Sequence, residues 1–167
     1  MSIYVGLGAN LPHPQYGPPR RTLRRALAAL DDHGVRLVRL SPWYRTAPVP
    51  ASDQPWYVNA VAEVSTGLGP DALLATMHGI EDAFGRVRSV ANAPRFIDLD
   101  LLDYRSSVKA LNNIGISVIP HVRLQERAFV LLPLRDIAPG WRHPISGQSI
   151  DRLIAALPGD QVAERMA

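Results

Sequence analysis

The chain has 167 residues, 47% hydrophobic and 20% charged, which is enough apolar material for one filled core and too little for two independent domains. A net charge of +3, from 18 basic and 15 acidic residues, does not by itself argue for nucleic acid, although the basic set is almost all arginine, a side chain suited to bidentate phosphate recognition. Cysteine is absent, which excludes disulfides, thiolate chemistry and sulfur-ligated metal, and no apolar run approaches the roughly 18 residues of a membrane span, so one cytoplasmic domain over residues 1–167 is expected.

Ile3 to Leu7 is apolar, bounded by Gly8, and reads as a central strand. A proline-rich loop over Asn10 to Pro19 leads to a helix over Thr22 to Leu30, whose Leu23, Ala26, Leu27 and Leu30 recur at helical spacing, with Gly34 available to end it. Val35 to Leu40 is a second strand. Ser41 to Pro55 reads as loop, and Val58 to Val64 as a third strand. Pro70 stands in the first turn of a second helix with Leu73, Leu74, Met77, Ile80 and Phe84 on its apolar stripe, ended by Gly85. Ile97 to Tyr104 is a fourth strand, while Arg105 to Val118 carries no usable period. Ala128 to Ile137 reads as a helix interrupted by Pro133, and Ser149 to Leu157 as a last one. The order predicts an α+β ferredoxin-like sandwich, a mostly antiparallel sheet with helices packed on one face.

Asp98 and Asp100 lie two apart on a strand, so their carboxylates share one face, about 6.5 to 7 Å apart at the backbone. Such a pair suits hard cations, Mg²⁺ above all, and equally suits a solvated acidic face. Arg86, Arg88 and Arg95 nearby favour a metal–phosphate complex, since alternating arginines can clamp phosphate oxygens. Glu81, on the second helix, has the spacing to orient Arg86, to approach the site, or to make a surface helix pair. Tyr57 and Asn59 share a strand face and can stack on and read a flat heteroaromatic ring; the same residues, and Phe129, serve a core as well. His121, Arg123 and Arg127 follow Pro120, within reach of a polyphosphate. Five scattered histidines and no cysteine make zinc a poor fit. Neither a P-loop nor a protein-kinase motif set is present, and Gly6-Leu7-Gly8-Ala9-Asn10 lacks the later glycine of a dinucleotide fingerprint.

Taken together these segments resemble the 6-hydroxymethyl-7,8-dihydropterin pyrophosphokinase family of folate biosynthesis. The matching pieces, in family order from residue 3 to about 139, are Gly6-Leu7-Gly8-Ala9-Asn10-Leu11, Tyr44-Arg45-Thr46 with Pro48, Gln54-Pro55-Trp56-Tyr57-Val58-Asn59-Ala60, Glu81 with Gly85-Arg86-Val87-Arg88, Pro94-Arg95-Phe96-Ile97-Asp98-Leu99-Asp100, and Pro120-His121 with Arg127-Ala128-Phe129. The resemblance implies a monomeric, magnesium-dependent enzyme that moves pyrophosphate from ATP to the pterin hydroxymethyl group and releases AMP, binding neither nucleic acid nor membrane. It implies that Asp98 and Asp100 bind two Mg²⁺ ions, that Arg86 and Arg95 act in catalysis, and that His78, Glu81, Arg88, Arg95, His121 and Arg127 meet the nucleotide. Tyr57 and Phe129 would sandwich the pterin while Gly8, Thr46, Val49 and Asn59 read its edge. The chain departs from the family pattern at Ala9, Asn92, Ala93, Phe96, Ile116, Val118 and Val122. Two other classes fit the residues less fully: another metal-dependent nucleotidyl or phosphoryl transferase, and a small RNA-binding module with exposed sheet aromatics.

Overall fold

The computed structural model describes residues 1–86, 94–111, 117–121 and 123–167. In chain order the elements are β1 (Ile3–Ala9), α1 (Pro19–Asp32), β2 (Val35–Leu40), β3 (Tyr44–Thr46), β4 (Tyr57–Thr66), α2 (Pro70–Ala83), β5 (Asp98–Tyr104), β6 (Lys109–Leu111), β7 (Ser117–Ile119), a 3₁₀ turn (Leu124–Glu126), α3 (Ala128–Ile137), α4 (Ile150–Ala155) and β8 (Ala163–Arg165). The main sheet runs β5-β1-β4-β3-β8, with β2 also paired to β4 beyond β3. Every pairing in it is antiparallel, and the sheet stays open. β6 and β7 pair with each other as a separate antiparallel two-stranded sheet.

β1 is buried along its whole length, as a strand flanked on both sides and covered on both faces must be. Its odd residues Ile3, Val5, Leu7 and Ala9 enter one core with Leu23, Ala26 and Leu30 of α1 and Leu73, Met77 and Ile80 of α2. On the other face Tyr4, Val61 and Leu102 enter a second core with Leu131 and Leu134 of α3, Ile150 and Leu153 of α4, and Trp141. Helices on one face only was therefore the wrong expectation. The first 104 residues hold just the α1–α2 layer, and the helical material after residue 127 covers the opposite side. That cover also removes the free, aromatic-bearing sheet face an RNA-binding module needs.

Three further differences have local causes. β3 and β8 are three-residue strands, too short to show a period of two, and they exist because they pair with β4 and with each other. α3 runs unbroken through Pro133: Val130, Leu131, Leu134 and Ile137 are buried along it, and that burial outweighs the ~3 kcal/mol cost of an internal proline. Within the unperiodic stretch from 105 to 118, residues 105–108 form a turn and loop, and β6 and the start of β7 follow. No helix among the described residues is long and apolar enough to cross a membrane.

Candidate active site

Sheet register builds the site floor. Gly8 of β1 pairs with Asn59 of β4 on one side and Asp98 of β5 on the other, and Gly6 pairs with Val61 and Asp100. One row across three strands thus carries a carboxylate, a glycine and an amide, its ends about 9.5 Å apart. Gly8 must lack a side chain: a Cβ there would lie 2.7 Å from Asn59 Oδ1. Buried Asn59 donates from Nδ2 to Thr46 Oγ1 at 2.6 Å, so β3 fixes the amide's orientation.

The acidic end sits at the start of β5, the edge strand. Arg86 Nη1 donates to Asp98 Oδ1 at 2.9 Å and Arg95 Nη1 to Asp98 Oδ2 at 2.8 Å, so one carboxylate holds two arginines. Arg86 Nη1 also donates to Glu81 Oε2, which accepts in addition from the Leu99 backbone N–H at 2.9 Å. Glu81 is 0% exposed. It therefore lies beneath the site, satisfying an edge-strand donor and orienting Arg86. His78 sits half-buried on the same helix, outside the residues that line the cleft. Arg88, like Asn92, Ala93, Ile116 and Val122, lies outside the described residues, as does the Val118 side chain.

The cleft encloses a cavity of about 150 Å³, opening into a wider mouth. Asp98, Asp100 and Arg95 line one end; Tyr57, Asn59, Gly8, Thr46 and Val49 line the other. Arg127 and Phe129, from the start of α3, cover it, with the Arg127 guanidinium 5.3 Å from the Phe129 ring centre. Arg123 joins the lining as well.

Burial, and next the neighbouring Asp98, push Asp100 up to about 7, while Arg127 pulls it down. Burial and then Arg127 push His121 down to about 4, so its ring is neutral at neutral pH. Its Nδ1 accepts the Arg123 backbone N–H at 3.2 Å, which leaves the proton on Nε2, facing Asp100 Oδ1 at 4.0 Å. His121 is thus a neutral donor aimed at the acidic end. Among the described residues no three or more His, Asp or Glu gather as a metal cage. The chain offers two carboxylates and leaves the other positions of an octahedral ion to phosphate oxygens and water, a donor set that suits Mg²⁺.

Sequence reasoning gave Asn10 no role, yet it organises the acidic end. It is buried at the end of β1. Its Oδ1 accepts the Arg95 N–H at 2.8 Å, its own N–H donates to the Arg95 carbonyl at 3.0 Å, and its Nδ2 donates to Gln54 Oε1 and the Pro55 carbonyl, each at 3.1 Å. The same loop carries His13, whose Nδ1 accepts from the Gln15 and Tyr16 N–H groups and whose Nε2 donates to the Phe84 carbonyl at 2.8 Å. Phe96, one of the departures, packs 5.4 Å from the His13 ring. The only signal in the sequence was a polar residue closing an apolar strand.

The sequence model of the 7,8-dihydro-6-hydroxymethylpterin-pyrophosphokinase (HPPK) family matches residues 4–139. A Pseudomonas aeruginosa protein described as 2-amino-4-hydroxy-6-hydroxymethyldihydropteridine pyrophosphokinase is 40% identical over 157 residues, 93% of this chain and 91% of its own length. A Synechocystis protein of the same description is 40% identical over 151 residues, 90% of this chain and 73% of its own. The folic acid synthesis protein fol1 of Schizosaccharomyces pombe is 33% identical over 160 residues, and there the chain spans 21% of a longer protein. Among solved structures, a Plasmodium falciparum HPPK-DHPS with pterin and p-hydroxybenzoate superposes with a TM-score of 0.74 at 15% identity, over 92% of this chain and 43% of that one; this is a likeness of fold.

Proposed function

The chain belongs to the 7,8-dihydro-6-hydroxymethylpterin-pyrophosphokinase family and transfers pyrophosphate from ATP to the hydroxymethyl group of 6-hydroxymethyl-7,8-dihydropterin; we propose that the acidic end of its cleft takes the phosphates and the Asn59 end takes the pterin. The observation that carries this division is the Asp98–Gly8–Asn59 row, which sets the Asn59 amide, packed close over Gly8, in one cleft with the carboxylates. Tyr57 and Phe129 supply the ring faces, and the fixed Asn59 amide, with Thr46 and the backbone at Gly8 and Val49, reads the polar edge.

In the reaction the hydroxymethyl oxygen forms a bond to Pβ of ATP, the bond from Pβ to the oxygen bridging Pα breaks, and AMP departs with that oxygen while the hydroxyl proton is released. Such a transition state needs positioning and charge stabilisation more than a covalent nucleophile. Asp98 and Asp100 would hold Mg²⁺, two ions in this reading, and the cation's contribution is to neutralise the polyphosphate. The raised Asp100, which a bound cation would lower, supports that fit. Arg86 and Arg95 are held on Asp98 within reach of the same phosphates, Arg127 closes over them, and the Nε2–H of neutral His121 donates to a phosphate oxygen. Glu81 acts through Arg86, which it holds from beneath the site.

The β5-β1-β4-β2 order and its antiparallel pairings support a ferredoxin-like reading of residues 3–104, with α3, α4 and β8 as additions on the second face. The deciding experiment is product analysis with ATP, Mg²⁺ and the reduced hydroxymethylpterin. AMP and a pyrophosphorylated pterin are expected; ADP or a nucleotide–pterin adduct would place the chain with another transferase.

A further inference from the structure

The family match ends at residue 139, and sequence reasoning found no site beyond Ala138. The last residues of the chain nonetheless touch both walls of the cleft. On one side β8 pairs with β3, Ala163 opposite Thr46 and Arg165 opposite Tyr44, and the Ala47 N–H donates to the Val162 carbonyl at 3.1 Å. Thr46, Ala47, Pro48 and Val49 are the wall that meets the Asn59 end. On the other side the Gln161 side chain spans the start of α3. Its Nε2 donates to the Glu126 carbonyl at 2.7 Å and its Oε1 accepts the Ala128 N–H at 2.8 Å. Those two groups flank Arg127, the residue that enters the cleft.

The chemistry of this contact is specific. Ala128 is the first residue of α3, so its N–H is one of the helix donors without an intrahelical partner, and no side-chain cap at Arg127 takes it. Gln161 supplies the missing acceptor from 33 residues away while its amide nitrogen holds the carbonyl just before Arg127. A second tie follows in the same segment. Arg165 Nη2 donates to Asp136 Oδ1 at 2.6 Å, and Asp136 Oδ2 accepts from Tyr44 Oη at 2.5 Å, which links β8, α3 and β3 in one chain of bonds. A strand of three residues at a sheet edge has no need of such ties for its own sake.

We propose that residues 161–166 brace the cleft, with Gln161 as a positioning residue that holds Arg127 and Phe129 opposite the β3 wall. The inference rests on the assignment of ATP phosphates and pterin to those two residues. The full-length chain carrying Gln161→Leu loses both bonds. Its dissociation constants for Mg²⁺ with α,β-methylene-ATP and for 6-hydroxymethylpterin are expected to rise about fivefold, the worth of one hydrogen bond, with kcat changed less than twofold. Gln161→Glu keeps the acceptor for Ala128 and loses the donor to Glu126, so it falls between, and it serves as the test should the leucine variant misfold. Adding Gln161→Leu to Arg127→Ala should weaken nucleotide binding no further, which a loss of general stability would not reproduce. Wild-type affinities in both Gln161 variants, or full additivity with Arg127→Ala, overturn the brace. Failure of the unaltered chain to bind either ligand overturns the site assignment instead.

Discussion

Asp100→Asn isolates the electrostatic cost of the acidic end. Asp100 is pushed from an ordinary 3.8 up to about 7, first by burial and then by Asp98. A carboxyl whose folded value is raised holds its proton more tightly in the native state than in the unfolded chain. Between about pH 4 and 7 the folded protein therefore carries the extra proton, stability falls as pH rises through that window, and the penalty is complete above it. A shift of about three units at about 1.4 kcal/mol each sets a ceiling near 4 kcal/mol. The Asp100 side chain is 28% exposed, so water at the cleft mouth screens part of this, and about 2 kcal/mol is the expected size. His121, lowered to about 4, has the opposite sign, its charging opposing the fold as pH drops from 6.5, but both proteins contain it and the difference between their profiles largely cancels it. Urea unfolding in EDTA at pH 5 and pH 8 makes the measurement. Wild type should lose about 1 kcal/mol more than Asp100→Asn on going to pH 8, since part of the penalty is already present at pH 5, and millimolar Mg²⁺ with nucleotide should return that loss to wild type alone. Parallel pH profiles for the two proteins would refute the reasoning.

Gly8→Ala puts a Cβ 2.7 Å from Asn59 Oδ1, so the amide must leave Thr46; KM for the pterin should rise about tenfold or more, with a smaller change for ATP, in steady-state kinetics. Glu81→Gln keeps the volume but removes the charge beneath Arg86, and kcat should drop about tenfold while KM for the pterin holds; an unchanged kcat would show that Glu81 serves only the Leu99 N–H. Asn10→Ala removes both side-chain grips, on the Arg95 N–H and on Gln54 with Pro55, which should cost about 2 to 3 kcal/mol in denaturant and lower kcat more than it weakens either substrate.

The paired faces were legible because period two is an elementary property of a strand. Asp98 and Asp100, and Tyr57 and Asn59, were bound to share a face once β5 and β4 were recognised, and both pairs line one cleft. What could not be read was how strands from distant parts of the chain align. That the Asp98 and Asn59 rows are the same row depends on two inter-strand registers, both running through Gly8. Glu81 shows another limit. Its spacing allowed it to orient Arg86 or to approach the site, and only the outward-facing N–H of an edge strand, waiting for an acceptor at Leu99, decides between them. Asn10 and Gln161 act on backbone groups, and backbone partners leave no mark in a sequence pattern.

The double claim of Arg86 and Arg95 on Asp98 bears on how the site changes when it fills. Among the described residues, Glu81, Asp98 and Asp100 share the acidic end with Arg86, Arg95 and Arg127, and Arg123 also lines the cleft, so acids and arginines offset one another without ligand. The distribution is uneven, though: Asp98 has an arginine on each oxygen, while Asp100, among the described residues, meets a neutral imidazole at 4.0 Å and stays hard to ionise. A polyphosphate arriving alone would add negative charge beside an acid that burial and Asp98 already keep hard to ionise. One arriving with Mg²⁺ brings its own counter-charge to Asp100 and competes for the guanidinium groups that Asp98 holds. Arg86 Nε, buried and without an acceptor among the described residues, is a further donor ready for that exchange. Nucleotide and cation should therefore bind with strong mutual dependence, the affinity for each falling when the other is withheld, and Asp100→Asn should weaken that coupling more than Arg95→Ala does.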